Sequence, residues 1–247
     1  MSATSNDERS WFWTTWPLDG RDWLRLGIAL LLVIGAFSAV GWLFTDSLAP
    51  NAITDYDDQV AHDLADGRTE VKNDLAHWGA MLADTPVKIG LTFIAAAVMM
   101  AVWRRWHEPL FLAVSLIFEA TAFITITYIV GRARPDVERL LGSPVDSSYP
   151  SGHVAAATVY GAFVIITFWH TRRTWIRALA VAACTFVVIA VGLSRMYQGM
   201  HFLSDVVAGV LLGLVSLWIC AKVFGPPPSD DATTPLEAST AGTPAAK

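Results

Sequence analysis

The sequence predicts an all-α, polytopic membrane protein with six transmembrane helices and a cluster of polar residues at the helix ends on the extracytoplasmic side. Three observations lead there. Apolar residues make up 54% of the 247 positions and charged residues 16%, against about 45–50% and about 25% in soluble domains. The apolar residues are gathered into six long runs rather than spread along the chain. Basic residues flank those runs in alternate connections, as they do when a chain crosses a bilayer repeatedly.

Crossing a bilayer takes ~20 mostly apolar helical residues. The runs that qualify are 26–45, 86–104, 109–131, 154–170, 177–193 and 205–223. Residues 1–25 form an N-terminal segment. Their length, and the poor processing site offered by "SLAPNA", predict that the first run is retained as a span rather than removed as a signal. Arg21 and Arg25 precede span one, Arg104 and Arg105 separate spans two and three, and Arg172, Arg173 and Arg177 surround the joint of spans four and five. With six spans these flanks share one side, assigned to the cytoplasm together with both termini. The acidic stretch from Asp55 to Asp74 then lies outside. Around it, residues 52–83 place Val71, Leu75, Trp78 and Leu82 at helical spacing, which predicts an amphipathic helix on the outer surface. Tryptophans, among them Trp11, Trp13, Trp16, Trp23, Trp42 and Trp103, collect at span ends like an interfacial belt. Residues 224–247, rich in Pro, Ser, Thr and Ala, read as a disordered tail. The six-helix domain is thus 26–223.

Other classes are disfavoured. Cys184 and Cys220 both sit in apolar runs, where they read as small buried hydrophobes rather than disulfide partners or metal ligands. The net charge of -5 argues against a nucleic-acid partner. His62, His77, His107 and His170 read as solvated or interfacial.

Arg132, Arg134 and Arg139 break the charge pattern, because they follow span three on the outer side. Two further polar segments emerge on that side. The three are "GRARP" (131–135), "YPSGH" (149–153), and "SRMYQGMH" (194–201) with Asp205. Arginine offers a planar fork of donors that matches phosphate oxygens and stays charged. Ser151 and Gly152 precede span four, so their amides can belong to a helix N-terminus that favours anions. His201 and Asp205, four apart, can share a helix face, with the carboxylate fixing the imidazole tautomer. One imidazole, His201, would attack phosphorus, and the other, His153, would protonate the leaving oxygen.

These segments resemble the signature of the type 2 phosphatidic acid phosphatase superfamily: Lys, six residues, Arg-Pro; then Pro-Ser-Gly-His; then Ser-Arg, five residues, His, three residues, Asp. Arg134-Pro135 matches the end of the first motif, 150–153 matches the second, and Ser194-Arg195, His201 and Asp205 match the third. The resemblance spans residues 53–223. It implies a lipid phosphatase without cofactor or metal, acting at the outer membrane face; the compact loops and the absence of a recognisable organelle address fit a bacterial plasma membrane. His201 would be nucleophile, Asp205 its partner and His153 the acid, with Arg134, Arg195, Ser151 and Gly152 binding phosphate. Its partners would be a membrane lipid phosphate and the bilayer. Phosphatidic acid, phosphatidylglycerol phosphate and a polyprenyl diphosphate all fit.

One position departs. Thr127 stands where the signature has lysine, so a hydrogen-bond donor remains but a charge is lost; Arg132 is expected to compensate at the phosphate. Glu119, midway along span three, is expected to be a structural polar lock, with Lys88 a candidate partner. Three alternatives stay open: a lipid phosphotransferase using the same phosphohistidine, a catalytically silent lipid-binding relative, and a transporter. The last would scatter polar groups along the spans, whereas here they concentrate at one end.

Overall fold

The computed structural model describes residues 16–45, 52–142 and 146–227. The expected tail, from residue 228 onward, and Trp11 and Trp13 lie outside these residues. Among the described residues there are nine α-helices and no strand: α1 Gly20–Trp42, α2 Ala52–Asp66, α3 Glu70–Met81, α4 Thr85–Trp103, α5 His107–Val130, α6 Gly152–Val159, α7 Gly161–His170, α8 Thr174–Tyr197 and α9 Leu203–Phe224. Six stretches are long and apolar enough to cross a membrane: α1, α4, α5, α6 with α7 as one span, α8 and α9. All six expected spans are present.

Local chemistry moves some boundaries. α1 begins six residues before the expected run because Asp19 caps it. Its carboxylate accepts the amides of Arg21 and Asp22, while Asp22 reaches back to the Asp19 amide, closing a capping box. α8 runs four residues past its expected end, so Arg195 projects from a helix rather than a loop. Residues 52–83, expected to form one amphipathic helix, hold two helices, α2 and α3.

α5 lies at the centre, with Phe111, Leu112, Ala122 and Ile126 fully buried. α9 packs closely on α6 because Gly209 and Gly213, one turn apart, leave room for the neighbouring helix. A Cβ at Gly209 would come within 2.6 Å of the Ser151 carbonyl, and one at Gly213 within 2.5 Å of Thr158 Cβ. Leu31, Leu32, Phe93, Ile94 and Phe186 point outward, as side chains bathed in lipid do.

α3 seats Ala76, Gly79 and Ala80 toward the bundle. It leaves Val71, Leu75 and Trp78 exposed, the amphipathic stripe expected from the sequence. At the opposite end, one histidine differs from expectation: His107 is buried, with Nε2 3.3 Å from the Phe224 carbonyl. His170 is exposed at the end of its span, as expected, and lies 2.8 Å from Glu108. Glu108 is fully buried, and a buried carboxylate must gather partners; Arg105 and His170 serve it.

Candidate active site

The site forms where α5, α6, α8 and α9 reach the same end of the bundle. The backbone brings the motifs together first. The Ser148 amide donates to the Arg132 carbonyl at 2.8 Å, and the Ser151 amide to the Asp205 carbonyl at 3.0 Å. The second bond alters one expectation, since the Ser151 N–H is already engaged. Gly152, as the first residue of α6, has an N–H without a helical acceptor. Gly152 also needs its missing side chain, because a Cβ there would lie 2.5 Å from the Phe123 ring.

His201 is almost wholly buried. Its Nδ1–H donates to the Ser148 carbonyl at 2.7 Å. A carbonyl can only accept, so the proton is on Nδ1 and Nε2 keeps its lone pair. Burial first, then Arg195 and Arg134, hold this imidazole well below the ordinary histidine range. It therefore stays neutral at physiological pH, the state a nucleophile requires.

Asp205 departs from its expected role. Its carboxylate lies 4.0 Å from His201 Nδ1, beyond hydrogen-bond range. It accepts instead from Arg132 at 2.6 Å and from the Phe202 amide at 2.9 Å. The Ser148 carbonyl fills the place expected for the carboxylate.

Arg132 is likewise engaged elsewhere. Nη1 donates to Asp205 and to Ser204 Oγ, and Nη2 donates to Asp57 at 2.9 Å. The guanidinium also lies over the Phe202 ring, 4.3 Å from its centroid. Two carboxylates neutralise it in a buried network, so it does not replace the absent lysine. Nor does Thr127, whose buried hydroxyl donates to the Tyr149 carbonyl at 3.3 Å.

Arg134 and Arg195 are held differently. Arg134 donates to the carbonyls of Met200 and Ser147. Arg195 Nη1 donates to Gln198 Oε1 at 3.0 Å, and Gln198 Nε2 donates to the Ala76 carbonyl on α3 at 2.9 Å. The neutral Gln198 anchor orients the Arg195 guanidinium without cancelling its charge. Arg195 Nε and Ser151 Oγ are buried with no hydrogen-bond partner among the described residues. Burial, then Arg139, pulls Arg134 below the ordinary arginine range, a cost that an arriving anion would relieve.

His153 Nε2 lies 2.9 Å from Asp84 Oδ1, and both groups are partly open to solvent. Asp84 was not anticipated, nor were Asp57 and Gln198. Asp84 sits at the N-cap of α4, where an acidic residue reads as helix punctuation; only the fold carries it to His153. Glu119 is buried with both carboxylate oxygens unbonded, and no ion pair joins it to Lys88 among the described residues.

The profile of the PAP2 superfamily matches residues 108–226. Phosphatidylglycerophosphatase B of Bacillus subtilis (strain 168) is 30% identical over 159 residues, covering 63% of this chain and 74% of that protein. The chain belongs to the PAP2 superfamily. This PAP2 chain is also 35% identical over 93 residues to the "Bacitracin transport permease protein BcrC" of Bacillus licheniformis. That match covers 36% of the chain and only 41% of the relative's length. The fold is similar to the crystal structure of a transmembrane PAP2 type phosphatidylglycerolphosphate phosphatase from Bacillus subtilis. The TM-score is 0.66 at 22% identity, covering 85% of the PAP2 chain and 98% of the solved one. Six apolar spans and these bacterial relatives make it a multi-pass membrane protein.

Proposed function

We propose that this PAP2 chain hydrolyses a lipid phosphate or diphosphate at the outer membrane face through a phosphohistidine on His201. The observation that carries the proposal is the neutral His201, its Nδ1 proton tied to Ser148 and its Nε2 left available, in electrostatic reach of Arg134 and Arg195. Nε2 attacks phosphorus as the bond to the lipid oxygen breaks, and His153 gives that oxygen a proton. Water then attacks phosphorus, His153 takes a proton from it, and the P–N bond breaks to release inorganic phosphate. Arg134, Arg195, Ser151 Oγ and the Gly152 amide bind the phosphoryl oxygens, whose charge such donors stabilise in the transition state. Asp84 orients the His153 ring. The site faces outward, with both termini cytoplasmic.

A groove of about 430 Å³ supports a lipid substrate. It runs between α1, α2 and α9, lined by Phe37, Val40, Phe44, Tyr149, Val207 and Leu211. Tyr149 in its wall follows Ser148, whose carbonyl holds His201, and on this reading the groove holds the acyl or isoprenoid chain. Phosphatidic acid, phosphatidylglycerol phosphate and polyprenyl diphosphate are the candidates. The named activity of the Bacillus subtilis relative favours the second.

Phosphate release by the detergent-purified chain, with EDTA present, tests the proposal on these lipids. His201→Ala should lower release by at least roughly 10³-fold. A phosphorylated acceptor in place of free phosphate would establish a phosphotransferase instead. Absence of both, from folded protein, would favour a silent lipid-binding protein.

A further inference from the structure

Thr127 lacks the charge that the superfamily signature carries at its position, and Arg132 is neutralised by Asp57 and Asp205. A cation from another helix stands close by. Lys88 lies one turn along α4 from Asp84, so the two side chains leave the same helix face. Asp84 reaches His153 at 2.9 Å, which aims that face at the site. Lys88 is half-buried and within electrostatic reach of both His153 and Glu119. No hydrogen bond or ion pair to a described residue holds its ammonium. Glu119, below it, is buried with both oxygens unbonded to any described residue.

We propose that Lys88, from the second span, supplies the positive charge that Thr127 does not, binding the substrate phosphoryl oxygens beside His153. Geometry and chemistry agree. Asp84 marks the outer end of α4, and a lysine one turn inside a membrane span extends its flexible stem toward that end. A lysine ammonium is a mobile point charge, suited to an anion that arrives and departs. Between turnovers the neighbouring anionic group is Glu119; with substrate bound it is the phosphate. The inference rests on the phosphatase proposal and adds a binding residue outside all three motifs.

The test is competitive inhibition by inorganic phosphate, with KM and kcat for one lipid phosphate, in wild type, Lys88→Met, Lys88→Arg, Glu119→Gln and Lys88→Met/Glu119→Gln. Lys88→Met should weaken phosphate inhibition and raise KM by roughly ten- to a hundred-fold, the scale of a charge-assisted hydrogen bond. Lys88→Arg should recover most of that loss, and Glu119→Gln should bind phosphate at least as well as wild type. The double variant should stay as weak as Lys88→Met. Having no unpaired buried charge, it also serves if the single variant does not fold. Unchanged inhibition in folded Lys88→Met or in the double variant would overturn the inference while leaving an active wild type and an inactive His201→Ala in place. Recovery in the double variant to wild-type values would overturn it too, by showing that Lys88 only neutralises Glu119. A wild type that releases no phosphate would remove the phosphatase proposal, and this inference with it.

Discussion

At the scale of single residues, the partner of each charge decides its use. Arg132, Arg134 and Arg195 are chemically alike, yet Arg132 meets two carboxylates while Arg195 meets an amide oxygen. A neutralised guanidinium holds the fold together, whereas an oriented and uncancelled one attracts an anion. The same logic sets the state of His201. Its folded form resists protonation, while an imidazole in the unfolded chain titrates near ~6.5. Below that pH the unfolded state takes up a proton that the folded state refuses. This group therefore withdraws stability as pH falls from neutral toward acid, and has no such effect at higher pH. The thermal midpoint in detergent should drop between pH 7 and pH 5, and more steeply in wild type than in His201→Gln. Equal slopes for the two would show that His201 is not held neutral.

At the scale of helices, close approaches transmit position into the site. α3 rests on α8 at Gly79, where a Cβ would meet Ser194 Oγ at 2.1 Å. From α3 the Ala76 carbonyl holds Gln198, and Gln198 holds Arg195. A valine at Gly79 must push the two helices apart, at a cost of about 1–3 kcal/mol. Gly79→Val should lower the thermal midpoint and also raise KM several-fold by loosening Arg195. A lower midpoint with KM unchanged would mean that α3 does not support the anion site. The six spans were legible from the apolar runs, because hydropathy is a property of neighbours in sequence. The start of α1 depended on Asp19 and Asp22 acting as a capping box, a signal that the polar flank contains and that the apolar run conceals.

At the scale of the whole molecule, the proposed function asks the bundle to serve a headgroup in water and a chain in lipid. The groove beside Tyr149 meets the second need if it holds the chain. Val207→Trp, placed in its wall, should reduce kcat/KM for a long-chain lipid phosphate by about tenfold or more. It should leave a short-chain, water-soluble phosphate ester within about twofold, because the phosphoryl cradle lies elsewhere. Equal losses on both substrates would show that the groove does not bind the chain. By itself the sequence determined the six spans, their order, and the gathering of three motifs at one end, since run length, loop charge and residue spacing are local quantities. Only the tertiary structure decided which side chain each motif residue meets. Asp57 lies 75 positions from Arg132, and Asp84 lies 69 from His153; no spacing rule reaches so far. Helix packing brings those carboxylates into place, and the short range of hydrogen bonds then fixes which arginine is neutralised, which carbonyl holds His201, and which helix delivers Asp84 to His153.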